Sequence, residues 1–447
     1  MARSLTALAL VAALGSASFA GPGPVSKLPS IETFQLDNGL RVAVLKTDAS
    51  PAVTVGVWYH VGSKDEPRDR RGTARMFEQL MFKGSSHVRA DWHAQAIAGL
   101  GGYTDAQADE DATHFSDTLP ASYVDFAIQL EAERMRNLMF RKAAVDNERE
   151  LVKDKIRKQE ASPVAKGLLK FLAVAYAKHP YAWTAAGNPT ELDATSIDDL
   201  HKFYDAYYQP NNALLVVVGN VSLDQVKASA NKWFAPIARA ADPPRPAAAA
   251  PEPAQTAKKR EVVEPGQLGI TLVGWHVPAA KDKDIYPLQI ASNVLGRGEA
   301  ARIKVRLKTP DPKTKRALAL DGGLESFVKE DPGVMIAVGL YIEKDAADPV
   351  EAAILDEVQK LGARGPTTDE LRKAKNELES GFVFSLEHVQ GLADALGRSW
   401  IQSGDPSSFV RDVDELEKVT AADVERVVKQ YMAPDKTTIV VIPPKGL

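Results

Sequence analysis

The chain has 447 residues, 45% hydrophobic and 26% charged, the composition of ordinary globular material long enough for two or more domains. Its 55 Lys plus Arg stand against 59 Asp plus Glu, a formal net charge of -4 that excludes a general attraction to nucleic acid or anionic lipid. There is no cysteine, which rules out disulfides, thiolate metal ligands and a lipoprotein anchor.

Residues 1–20, "MARSLTALALVAALGSASFA", carry a basic Arg3, an apolar run from Leu5 to Leu14 and small residues Ser18 and Ala20 before Gly21. This pattern predicts an export signal cleaved after Ala20. The run is shorter than the roughly 20 residues that span a bilayer, so no membrane span is expected. The mature protein is expected to be exported and soluble, in a bacterial periplasm. Two strands, joined through the Asn38-Gly39 turn, are predicted in "TFQLDNGLRVAVLKT", and a third in "AVTVGVWYHVGS". Helices are predicted to dominate from Ala74 to Glu160.

The segment 239–266 is dense in Pro and Ala without apolar periodicity, which predicts an extended linker. On either side the same ending recurs. An offset of 224 carries Asp199 to Asp423, Tyr207 to Tyr431 and Pro210 to Pro434. In each copy a Ser or Thr caps a helix, a Pro ends it, and a β-branched strand follows. Duplication explains this better than coincidence. The expected domains are 31–238 and 267–447. Strands and helices come in blocks, which predicts an α+β fold of two homologous domains, each a mostly antiparallel sheet packed against helices.

"VGSKDEPRDRRGTARMFEQLMFKGSS" resembles the zinc helix of the pitrilysin and insulinase metallopeptidases, whose motif is H-x-x-E-H. In that family two His one turn apart bind zinc, a downstream Glu is the third ligand, and the motif Glu acts as base. The first His position here is Arg75, the base position Glu78 and the second His position Gln79. The third-ligand helix is resembled by "ERELVKDKI", with Lys155 at the ligand position and Glu148 as the supporting acid seven residues earlier. A fixed guanidinium, an amide and an ammonium are not a zinc donor set, so no zinc is expected. Glu78 is expected to pair with Arg75 and with Lys155 instead of acting as a base.

"GGYTDAQADEDATHF" resembles the family stretch preceding an edge strand that pairs with extended peptides, with Gly102, Asp105 and Ala106 as candidate substrate contacts. In the second half, Arg306 is at the position of a substrate-binding Arg, and across the insertion "KTPDPKTK" Leu320 stands where the family has a Tyr. Gly296 and Gly298 follow a predicted helix, the wrong context for a dinucleotide turn, and neither a Walker loop nor a G-x-S-x-G elbow occurs. His87, His93 and His114 have no recognised zinc spacing.

The resemblance implies one half of a clamshell: a non-catalytic subunit that encloses peptide or unfolded polypeptide for a zinc-bearing homologue, as a hetero-oligomer. Two other readings stay open. One is a peptide-binding scaffold without a peptidase partner; the other is an active peptidase with an unrecognised metal arrangement.

Overall fold

The computed structural model describes residues 30–247 and 251–445, so the expected export signal lies outside the described residues. The first half holds strands β1 (Ile31–Gln35), β2 (Arg41–Lys46), β3 (Ala52–Tyr59), β4 (Tyr103–Ala108), β5 (Thr113–Pro120) and β6 (Ala213–Gly219). Its helices are α1 (Thr73–Leu80), α2 (Trp92–Gly99), α3 (Val124–Arg136), α4 (Lys142–Glu160), α5 (Pro163–Ala175), α6 (Pro189–Ala194), α7 (Ile197–Tyr207) and α8 (Leu223–Trp233). The second half holds β7 (Lys259–Val262), β8 (Gly269–His276), β9 (Asp321–Phe327), β10 (Val334–Tyr341) and β11 (Thr438–Ile442). With them come α9 (Ile285–Gly296), α10 (Arg302–Lys308), α11 (Ala347–Arg364), α12 (Thr368–Ser385), α13 (Val389–Ser403), α14 (Phe409–Lys418) and α15 (Ala421–Tyr431).

The sheets run β1-β2-β6-β3-β5-β4 and β7-β11-β8-β10-β9. All neighbours are antiparallel except β2 with β6 and β7 with β11, so the second sheet repeats the last five strands of the first. The repeated ending explains the match. Ser196 caps α7 in a reciprocal box with Asp199, and Thr420 caps α15 in the same box with Asp423. The two residue pairs are separated by the offset of 224 read from the sequence.

The expected linker is shorter than 239–266, because Lys259–Val262 is a strand paired in parallel with β11. Its alternation of half-buried and exposed residues marks an edge strand, too short to stand out beside a Pro/Ala-rich run. Two described points of the remainder are fastened down. Arg245 donates to His60 O at 2.6 Å and Asn212 Oδ1 at 2.5 Å, and Glu252 accepts the backbone N–H groups of Ala177, Lys178 and His179 at 2.8–2.9 Å.

Strands β3 and β6 are buried on both faces, which is why "ALLVVVG" reads as an unbroken apolar run. One face of the first sheet packs on α1, α3, α4 and α7, and the other is covered by α13 from the second half. In return, α5 from the first half covers the second sheet. Each crossing has a bulky ring set on a glycine. A Cβ on Gly397 of α13 would lie 2.0 Å from the Trp58 ring, and one on Gly274 of β8 would lie 2.5 Å from Phe171. The halves therefore share their cores.

A charged contact reinforces this. Lys64, 3% exposed, meets Asp111 at 2.8 Å in its own half and Glu330 at 2.5 Å and Asp331 at 3.3 Å across the boundary. His60 meets Glu330 at 2.6 Å and His179 meets Asp331 at 3.4 Å. Burial acts against the Lys64 charge, but the three carboxylates hold its pKa above the ordinary lysine value.

Candidate functional site

Helix α1 carries the degenerate motif. Its apolar residues Met76, Phe77 and Leu80 face the core, and Phe77 sits among Phe203, Tyr204 and Tyr208, with ring centroids 4.7–6.1 Å away. Gly72 starts the helix at φ 103°, a left-handed conformation that a side chain resists, and Gly187 packs against it so closely that a Cβ there would meet Gly72 at 2.4 Å. The buried Glu66 accepts from Gly72 N at 3.0 Å and Ala74 N at 2.8 Å, satisfying two open donors of the first turn.

Glu78 lies on the edge of that core, 5% exposed. Its Oε2 accepts from Arg75 Nη1 at 2.6 Å and from the backbone N–H of Ala108 at 3.1 Å, while Oε1 accepts from Gln79 Nε2 at 2.9 Å. The carboxylate is thus committed to three donors, and it ties α1 to the end of β4. The expected pair with Arg75 is present. The expected contact with Lys155 is not: Lys155 is exposed on α4 and joins no hydrogen bond or ion pair among the described residues.

Sequence reasoning also missed Lys83. It follows α1 and reaches Glu148 at 3.2 Å and Asp91 at 2.9 Å, so the buried Glu148, 1% exposed, has a cation of its own. The signal was available only as the downstream "MFKG", which fixes no partner. The donor set does not fit zinc. Arg75 cannot lose its proton, the Gln79 amide nitrogen is turned to Glu78, and Lys155 presents an ammonium.

The segment expected to precede an edge strand is itself that strand, since β4 ends its sheet. Gly102 precedes it, where a Cβ would strike Thr118 O at 2.3 Å. Asp105 is exposed on one face, and Ala106 packs toward the core on the other. Arg306 is exposed on α10 and lines a cleft of about 470 Å³ with Arg302, Val305, Pro310 and Leu318, all from the second half. Leu320, at the position of the family Tyr, is 54% exposed.

One further group converges. His93, Asp117 and Glu131 are buried, with ligand-type atoms within 4.8 Å of one another, and His93 Nε2 lies 2.8 Å from Asp117 Oδ2. Arg134 donates to both oxygens of Glu131, so a guanidinium supplies the counter-charge that a metal would bring. Burial pushes the Glu131 carboxyl up and the His93 imidazole down, each toward its neutral form.

The family model described as insulinase (peptidase family M16) matches residues 41–187, and that described as peptidase M16 inactive domain matches residues 194–378. The zinc protease PqqE of Helicobacter pylori is 27% identical over 423 residues, 94% of each chain. The crystal structure of a protease from Helicobacter pylori superposes with a TM-score of 0.87 at 27% identity, over 93% of this chain and all of that one. The first half of the periplasmic protease PqqL from Escherichia coli shares the fold, with a TM-score of 0.72 at 17% identity over 94% of this chain and 93% of that one.

Proposed function

Because the chain belongs to peptidase family M16, the insulinase family, we propose that it is a non-catalytic member: a subunit that encloses and positions peptides for a zinc-bearing relative. The observation that carries this is the Glu78 carboxylate, held by Arg75, Gln79 and Ala108 N where the family motif keeps a base free beside two histidines. A buried carboxylate that accepts from a guanidinium and two amides is a poor general base, and no histidine stands beside it on α1. The chain works without zinc. Its role in proteolysis is exercised through a hetero-oligomer, in which this subunit supplies β4, an edge strand among the described residues, for extended peptides.

The leader-like residues 1–20 and the periplasmic relative PqqL support export to the periplasm. Among the described residues no helix is long and apolar enough to cross a membrane.

Native affinity purification from the source cell tests the proposal. The chain should bring down a homologue with an intact H-x-x-E-H motif, and the mixture should cleave peptides that neither chain cleaves alone. Near-stoichiometric zinc in the purified chain, with chelator-sensitive cleavage by the chain alone, would overturn it.

A further inference from the structure

The outward side of α4 has a composition of its own. At about 100° per residue, and taking Glu148 as zero, buried Val152 and Ile156 lie about 40° and 80° to one side. Beyond them on that side, Arg149 donates to Leu192 O and Thr195 O, and Lys153 meets Asp193, so α6 occupies that flank. Lys155, Leu151 and Lys158 lie about 20–80° to the other side. Leu151 is 48% exposed. Lys155 and Lys158 are exposed and join no ion pair among the described residues, and the nearest acid on that side, Asp154, is taken by Arg157 at 2.5 Å. On α1 the outward residues are Arg75, its side chain 31% exposed, and Gln79.

We infer that this stripe selects the peptide: Lys155 and Lys158 receive acidic side chains of an extended segment, and Leu151 receives an apolar neighbour. The inference rests on the peptide-binding reading above and names its ligand class. The stripe runs over the eight residues 151–158, a rise of about 10 Å, matched by about four to five residues of extended chain. Side chains two apart on a strand share a face about 7 Å apart, close to the spacing of helix neighbours three or four apart. An apolar residue followed two positions later by Asp or Glu therefore matches Leu151 and Lys155. Both ammonium groups are exposed, so the attraction acts over no more than a Debye length of about 8 Å at physiological salt and weakens as salt rises.

Fluorescence anisotropy with three labelled peptides of equal length tests this on the mature chain. One carries Leu-x-Asp-x-Glu, one has the acids replaced by Lys, and one has them replaced by Gln. At low salt the acidic peptide should bind at least tenfold more tightly than the basic one, and the gap should narrow at 0.5 M salt. Lys155→Glu/Lys158→Glu should reverse the order, and Lys155→Ala/Lys158→Ala should abolish the preference while leaving the Gln peptide unaffected. Equal affinity for all three peptides, or a preference that survives in both variants, overturns the charge assignment alone. Failure of every peptide to bind overturns the peptide-binding reading, and this inference with it.

Discussion

Replacing Glu78 with Gln separates a structural from a catalytic carboxylate. The native side chain accepts from Arg75 at 2.6 Å, Gln79 at 2.9 Å and Ala108 N at 3.1 Å. Gln fills the same space but keeps one acceptor oxygen and turns an NH2 group toward a donor. The lost hydrogen bond to a charged group is worth about 1.5–3 kcal/mol. With the Arg75 side chain 31% exposed, water recovers part of this, leaving a destabilisation of about 1–2 kcal/mol. At a slope of about 3 kcal/mol per M that is a fall of about 0.3–0.7 M in the urea midpoint. Urea titration followed by tryptophan fluorescence measures it, and a double-mutant cycle with Arg75→Ala should return a coupling of about 0.5 kcal/mol or more. Unchanged midpoints with no coupling would refute the structural role. So would a variant that assembles and unfolds normally with its partner but abolishes peptide cleavage, since that outcome makes Glu78 a base.

Gly397→Val should lower stability by about 1–3 kcal/mol or more, because its Cβ enters the buried Trp58 ring, and Trp58→Leu should restore part of the loss in chemical denaturation. Asp331 is held at about 2, first by His179 3.4 Å away and, against burial, by Lys64. A depressed carboxylate contributes stability that is complete above its unfolded value near 4 and lost as pH falls toward 2, so Asp331→Asn should flatten the acid-unfolding curve in that window. The triple variant Arg75→His/Gln79→His/Lys155→Glu should bind zinc at least tenfold more tightly than the native chain in a metal-competition assay. Binding no tighter than native would mean that the α1 and α4 backbones have moved out of ligand geometry.

The sequence alone determined the local and periodic features. The 224-residue offset gave the duplication because caps, helix faces and strand runs are written in residue types that repeat wherever the fold repeats. It also gave the Arg75–Glu78 pair, since residues three apart on a helix are neighbours whatever the helix packs against. Only the tertiary structure decided that Lys83, not Lys155, answers a buried acid, that Ala108 N joins Glu78, and that β7 belongs to the second sheet. It alone decided that α5 and α13 each cross to cover the other half's sheet. Such partners lie tens to hundreds of residues apart and are chosen by how whole layers bury their apolar faces, a competition that no local spacing records.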